Sequence, residues 1–359
     1  MTYNCVTTLE RTISSVIDQK YNNIEYIVID GNSTDGTKEI IEKYSDDITH
    51  YVSEDDNGIY NAMNKGILLA TNDVVCFING DDYYLNDSVF DTISEQFENS
   101  DAEIIADRVA VDGIERSYCA QNQLSRLKQE MILSHQGIFV KRELFERIGL
   151  FNEKYKIASD YEWLLDAYLA DVKFDINDTV VAYFSSGGAS SDSLSHVECC
   201  KIIFSKDYCS EEEKQSIKEK YIKAVKDTVL VRMLRSENNY LSNFFYNKKI
   251  KSIWGTGIWS RRLFDYICRN GFTISQFIES NKNKVGMKLS NIPILKYNKQ
   301  NVELPILIAT TAYENEIALL LENDGFVKNR DFYTISDIEN GINYSDTKEI
   351  VNICEIENL

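Results

Sequence analysis

The 359-residue chain sets 57 acidic against 38 basic side chains, a formal net charge of -19, which disfavours the nonspecific attraction to nucleic acid or an anionic bilayer that rests on basic residues, local basic clusters aside. With 43% hydrophobic and 26% charged residues it has the makeup of a folded globular protein, long enough for two or three domains at about 150 residues each. Eight cysteines without a CxxC pair predict reduced thiols rather than a disulfide or zinc framework, and neither a leader nor a run near the roughly 18 apolar residues of a membrane span is seen, which predicts a cytoplasmic protein.

Along the chain, Val6, Leu9, Ile13, Val16 and Ile17 follow a helical period, and "IEYIVI" (24–29) reads as a buried strand. The helical "TKEIIEKY", the strand-like "THYVS" and the helical "IYNAMNKGILLA" follow, then the strand "DVVCFI" and the helix "SVFDTISEQF", for which Asn86 or Asp87 is the predicted cap. Strands alternating with helices of this length predict a mostly parallel sheet covered on both faces. Such sheets bind ligands at the carboxyl ends of their strands, where Asp30 and Asp81 stand.

From about residue 102 the pattern changes. "AEIIADRVAVDGIERSY" predicts a hairpin turning at Asp112-Gly113, and "SDYEWLLDAYLADV" a helix. Residues 195–247 are charged and helix-prone without strand signals, so they read as a helical connector. From residue 248 a strand, a glycine turn, a helix stopped at Gly271 and another strand follow, and "LPILIATTAYENEIALLLENDGF" repeats that order. Residues 248–359 therefore predict a second small Rossmann-like α/β domain with a C-terminal tail.

Two stretches of the first domain carry chemistry. In "IVIDGNSTDGT" Asp30 ends a strand and leads into a polar loop of Gly31 to Gly36. A carboxylate there can accept hydrogen bonds from a pyrimidine imide or a ribose hydroxyl; the plain alternative is a turn in which Asp35 caps the next helix. In "DVVCFINGDD" five apolar residues run into Asn79-Gly80-Asp81-Asp82. Adjacent carboxylates repel unless a cation, hydrogen bonds or water offset them, and a solvated turn is the alternative.

Taken together, "MTYNCVTTLERTISSVIDQKYNNIEYIVIDGNSTDGT", "EDDNGIYNAMNKGILLATNDVVCFINGDD" and "HQGIFVKRELFERIGLF...IASDYEWLL" resemble the family 2 glycosyltransferases of the GT-A fold, in the branch that builds bacterial surface polysaccharides. The resemblance covers about residues 1–190 and implies a GT-A nucleotide-diphospho-sugar transferase domain over 1–194. It also implies roles. Thr2, Tyr3, Asn4, Asp30, Ser33 and Asp35 would bind the nucleotide of a UDP-sugar donor, with Asp30 on the uracil. Asp81 and Asn79 would hold Mg²⁺ or Mn²⁺, with Asp82 beside the donor diphosphate. Asn79 replaces the first acid of the usual motif, so the protein supplies one charge fewer. Asp160 would be the general base, a role compatible with capping the helix that begins at Tyr161. Asn64 and Lys65 would face the diphosphate or sugar, His135 the acceptor, and the loop "SSGGASSD" (185–192) would lie near the active site.

The family's first strand normally precedes Thr2–Asn4, so the resemblance implies a truncated first strand or a start that lies elsewhere. Neither the QxxRW sequence of processive synthases nor a membrane span follows Asp160, which points to single addition of a hexose or N-acetylhexosamine, with inversion, to a glycan or lipid-linked glycan.

In the second domain Gly255-Thr256-Gly257 and Glu279 echo a dinucleotide fingerprint, but Ser260 stands where the third glycine belongs, so a structural appendage is favoured over an NAD site. Lys248, Lys249, Lys251, Arg261 and Arg262 are either solvated surface or a point of peripheral approach to the inner membrane. The competing functional readings are a noncatalytic nucleotide-sugar-binding or scaffolding protein, and a C-terminal NAD-dependent oxidoreductase.

Overall fold

The computed structural model describes residues 1–111, 114–115, 121–185, 193–236, 238–343 and 349–359. The chain divides into two compact units, Met1–Glu219 and Lys220–Asn358.

In order, the first unit contains α1 (Leu9–Ile17), β1 (Ile27–Asp30), α2 (Thr37–Lys43), β2 (His50–Ser53), α3 (Ile59–Leu69), β3 (Val74–Cys76), β4 (Tyr83–Tyr84) and α4 (Val89–Asn99). Then come β5 (Ile104–Val111), β6 (Ile114–Glu115), β7 (Ile138–Lys141), α5 (Leu144–Arg147), α6 (Ser159–Leu169), β8 (Phe174–Phe184), α7 (Leu194–Ser205) and the first turns of α8 (Glu211–Arg235). The period read in α1 is the buried face: Leu9 and Ile13 pack with Val28 of β1 and Ile40 and Ile41 of α2. The predicted helix caps at Asn86 and Asp87 do other work. Asn86 Oδ1 accepts from the Ser88 backbone and hydroxyl, both at 3.0 Å, and Asp87 pairs with Lys20 at 3.1 Å.

β1 and β2 pair in parallel, and Thr2 adds a parallel bridge to Asp30. A separate sheet has the order β3-β7-β5-β8-β4, with β6 against β5. This corrects the expectation of a mostly parallel sheet, because β3 with β7, β7 with β5 and β8 with β4 are antiparallel, and β5 with β8 is parallel. Hydrophobic alternation reports which residues are buried, not which strand lies alongside, and β7 arrives from more than 60 residues beyond β3. The arms of the expected hairpin do pair, β5 with β6; its turn at Asp112-Gly113 lies outside the described residues.

The second unit continues with α9 (Asn239–Lys248), β9 (Ser252–Trp254), α10 (Ile258–Arg269), β10 (Gln276–Ile278), β11 (Lys288–Leu289), β12 (Ile292–Leu295), β13 (Ile306–Ile308), α11 (Glu314–Asn323), β14 (Phe332–Thr334), α12 (Ile335–Asn340) and α13 (Glu349–Glu357). Its sheet runs β11-β12-β10-β9-β13-β14, parallel except where β11 meets β12. Ile253, Phe277 and Leu307 share one core with Phe244 and Phe245 of α9. The stretch expected as a connector is thus helical but not a separate body, since the unit boundary falls inside α8.

At the glycine turn after β9, Gly255 has φ +107°, and a side chain there would crowd Ser260 Oγ. Glu279 is already engaged: its Oε2 accepts from Thr256 Oγ1 at 2.5 Å and its Oε1 from the backbone of Ser280 and Asn281. Within the basic cluster, Lys248 lies over the Tyr333 ring and Arg262 over the Trp259 ring, at 5.0 and 5.4 Å. Among the described residues no helix is long and apolar enough to cross a membrane.

Candidate active site

The loop after β1 is built by its own side chains. Asp30 is fully buried. Its Oδ1 accepts from Ser33 Oγ at 2.5 Å, and its Oδ2 from Ser33 N at 3.0 Å and Ser53 Oγ at 2.7 Å. The carboxylate expected on a uracil is engaged here by Ser33 and by Ser53, which β2 delivers against it. Ser33 Oγ also accepts from Asn4 N at 2.8 Å, and Asn4 Oδ1 accepts from Thr34 N at 2.9 Å. Asp35 likewise turns into the loop, where Thr37 Oγ1 donates at 2.6 Å and Val6 N at 3.1 Å. The Thr37 hydroxyl is the main cause that holds its carboxyl below the usual range. Asp35 organises the entrance to α2, as the plain reading had it.

Tyr3 is 66% exposed here, and beside it stands a half-buried acid that the sequence did not single out. A Cβ on Gly31 would stand 2.7 Å from Asp56 Oδ2 and 3.2 Å from the Tyr3 ring. Asp56, in the turn before α3, therefore fills the space a side chain at position 31 would take. Its other oxygen accepts from Gly58 N at 2.9 Å.

Beyond β3 the turn Asn79-Gly80-Asp81-Asp82 is clamped by α1. Thr8 Oγ1 donates to Gly80 O at 2.8 Å and Thr12 Oγ1 to Asp82 O at 2.6 Å. A side chain on Gly80 would collide with Cys5 Sγ, so the backbone can approach only without one. Asp82 points inward and is 1% exposed. It accepts from Gln136 Nε2 and Ser185 N, both at 2.8 Å, while burial, the largest cause, pushes its carboxyl up. Asp82 thus locks the turn to neighbouring strands. Asp81 gives its carbonyl to Ser185 Oγ at 2.7 Å, which sets the backbone that carries its side chain. Residues 186–192, the rest of the glycine-serine loop, lie outside the described residues.

A row of polar contacts leads from this turn to α6. Asn79 Nδ2 lies 3.1 Å from His135 Nε2, and His135 Nδ1 lies 3.4 Å from Asp160 Oδ2. Asp160 Oδ1 accepts from Tyr60 OH at 2.8 Å and Tyr161 N at 2.9 Å. Burial first, and the Asp160 charge second, raise the Tyr60 hydroxyl well above its usual range, so it stays a donor. α6 begins at Ser159, which puts Asp160 in its first turn rather than at a cap, where the helix dipole still favours a negative charge. Just upstream, the buried Glu198 of α7 accepts from the backbone of Lys156, Ile157 and Ala158 at 2.8, 2.8 and 3.0 Å. Tyr60, Gln136 and Glu198 were not anticipated from the sequence; an acid inside the apolar run "VECCKIIF" was the available signal for the last.

Asn64 and Lys65, expected to face the donor, have partners within the chain. Asn64 is buried and ties α3 to the segment after α5, through Phe151 O, Phe151 N and Glu153 Oε1, all at 2.9 Å. Lys65 pairs with Glu54 at 2.8 Å. Among the described residues no group of three or more His, Cys, Asp or Glu stands together to hold a metal. The buried Asn79 Oδ1 has no hydrogen-bond partner, and an amide oxygen is a hard donor of the kind Mg²⁺ or Mn²⁺ takes.

An α/β unit with acidic turns at strand ends and a carboxylate at the start of a helix is the arrangement that the resemblance implies, and known proteins identify the family. The glycosyl transferase family 2 model matches residues 1–159. A PGL/p-HBAD biosynthesis glycosyltransferase of Mycobacterium bovis (strain BCG / Pasteur 1173P2) is 26% identical over 196 residues, 53% of this chain and 77% of that protein. Glycosyltransferase MT1564 of Mycobacterium tuberculosis (strain CDC 1551 / Oshkosh) is 30% identical over 176 residues, 47% of this chain and 67% of that protein. Among solved structures, a mannosyltransferase of Pyrobaculum calidifontis in complex with GDP-Man and Mn²⁺ superposes with a TM-score of 0.50 at 13% identity, covering 75% of this chain and 85% of its own. The chain belongs to glycosyl transferase family 2 and is a glycosyltransferase with a GT-A fold and an additional α/β unit.

Proposed function

We propose that the first unit moves one hexose or N-acetylhexosamine from a UDP-sugar to a hydroxyl of a glycan or lipid-linked glycan, with inversion, at the cytoplasmic side of the envelope. The observation that carries this reading is the row Asn79–His135–Asp160, which joins the acidic turn after β3 to a carboxylate of a type that can serve as base.

In this reading Asp160 takes the proton of the acceptor hydroxyl as that oxygen bonds to the anomeric carbon and the bond to UDP breaks, its electron pair leaving with UDP. Tyr60 and the Tyr161 amide hold one Asp160 oxygen, so the other is the one that receives the proton. His135 orients that second oxygen and ties it to Asn79. Asp81 and Asn79 Oδ1 are the hard donors that would hold Mg²⁺ or Mn²⁺, which when bound offsets the charge of the diphosphate. Asp56, beside the exposed Tyr3 ring, takes the part of acceptor for the uracil imide, with Asp30 keeping its loop in shape.

The test is UDP release from a panel of UDP-sugars with glycan acceptors. Asp160→Asn is expected to lower transfer by about 10²–10⁴-fold with donor affinity kept, whereas Asp81→Ala loses metal-dependent donor binding. Wild-type transfer in both variants contradicts the assignment.

A further inference from the structure

Charge is divided unevenly along the chain. Residues 1–219 carry 41 acidic and 19 basic side chains, whereas residues 220–358 carry 16 acidic and 19 basic ones. The acidity of the chain thus belongs to its first unit. Within the second, residues 238–278 hold six basic side chains against Asp265 alone.

The structure separates these six. Lys248 lies on the Tyr333 ring and Arg262 on the Trp259 ring, and Arg269 donates to Leu234 O at 2.5 Å. Lys249 and Lys251 instead line a cavity of about 280 Å³ in the second unit. Among the described residues neither lysine has an ion-pair partner, and no acidic residue lines the cavity. Glu303, the acid that meets Ser275 at this end of the sheet, is held by the Ser275 hydroxyl at 2.7 Å. The cavity floor is apolar, since Phe245 of α9, Ile250 ahead of β9 and Ile267 of α10 are at most 4% exposed. Tyr246 also lines it and is 71% exposed. Lys249 ends α9 at φ +50°, with its N–H donating to Phe245 O at 3.0 Å. Glycine or asparagine fills such a left-handed position at less cost, so the lysine is there against the preference of its own backbone.

We propose that this face of the second unit is where the chain meets an anionic phospholipid bilayer. The two ammonium groups take lipid phosphates, while their stems and the Tyr246 ring lie at headgroup level over the apolar floor. A free phosphate would use the lysines and leave the floor and Tyr246 idle. A bilayer, charged at its surface and apolar a few ångströms beneath, uses all of them. The purpose of such a contact rests on the proposed function, whose acceptor is a glycan or a lipid-linked glycan; the contact itself does not, and its test reads no transfer.

Sedimentation of the full chain is measured with vesicles of phosphatidylcholine alone and of equal parts phosphatidylcholine and phosphatidylglycerol. Partition onto the anionic vesicles is expected to be at least about tenfold stronger and to fall as salt is added. Lys249→Gly removes one charge and suits the backbone at that position, so it is expected to weaken partition about fivefold with the thermal midpoint kept or raised. Lys251→Ala is expected to remove a further factor of about five, and Tyr246→Ser to weaken partition as well. Arg261→Ala, about two turns back along α10 from Arg269, is expected to change it less than about twofold. Equal partition onto the two kinds of vesicle, an equal loss from Arg261→Ala, or full displacement by millimolar glycerol phosphate overturns the proposal, the last by making the cavity a site for a soluble phosphate. Donor binding is read separately by UDP titration, so the two readings fail independently.

Discussion

Asp107→Asn is expected to stabilise the protein at neutral pH, and the reasoning can be followed from the strand that holds it. Asp107 lies where the register of β5 against β8 shifts, is 5% exposed, and neither of its oxygens has a hydrogen-bond partner of good geometry. Burial is the largest cause that moves its carboxyl from 3.8 up to about 6, with Gln96 and the Thr179 backbone offsetting only part of it. A difference of about two units corresponds to roughly 2–3 kcal/mol against the charged form. The sign follows from linkage. Since the folded state holds this proton more tightly than the unfolded chain, stability from this group is greatest near pH 4, falls as pH rises toward 6, and is flat above. Asparagine removes that fall. Urea unfolding of both proteins from pH 4.5 to 8 should show a difference that grows to pH 6 and then stays constant; a pH-independent difference, or an asparagine variant less stable at pH 7.5, refutes the argument.

Other expectations follow from single contacts. Glu198→Ala strands three backbone donors ahead of α6, so it should cost about 3 kcal/mol in urea unfolding and reduce transfer by loosening Asp160. In the second unit Lys223 lies 2.7 and 2.9 Å from the Glu339 oxygens and 2.5 Å from Asp227, while burial pushes Glu339 up to about 7. Lys223→Met should therefore cost about 3 kcal/mol above pH 7, with the loss shrinking toward pH 5 as Glu339 takes a proton; Lys223→Met with Glu339→Leu should recover most of it. Asp56→Ala should weaken UDP binding at least tenfold and leave the affinity for inorganic pyrophosphate unchanged, measured by competition.

Much of the first unit was legible because its signals are local. The period of α1, the apolar run of β1 and the glycine-bearing turns at Asp30 and Asp81 are each written within a dozen residues. What could not be read depends on partners far along the chain. That Asp30 meets Ser53, 23 residues on, and that Asn64 meets Phe151, 87 residues on, is not written in the local sequence. The antiparallel pairing of β3 with β7 is invisible for the same reason. Lys65 illustrates a different limit, since a lysine near a diphosphate motif and a lysine paired with Glu54 have the same local sequence.

The most direct test of the central claim is calorimetric titration of UDP into the full chain with Mn²⁺, with EDTA in its place, and with Asp81→Ala. The account predicts binding with Mn²⁺ that is lost in EDTA and in the variant. Binding of equal strength under all three conditions, or none under any, contradicts it.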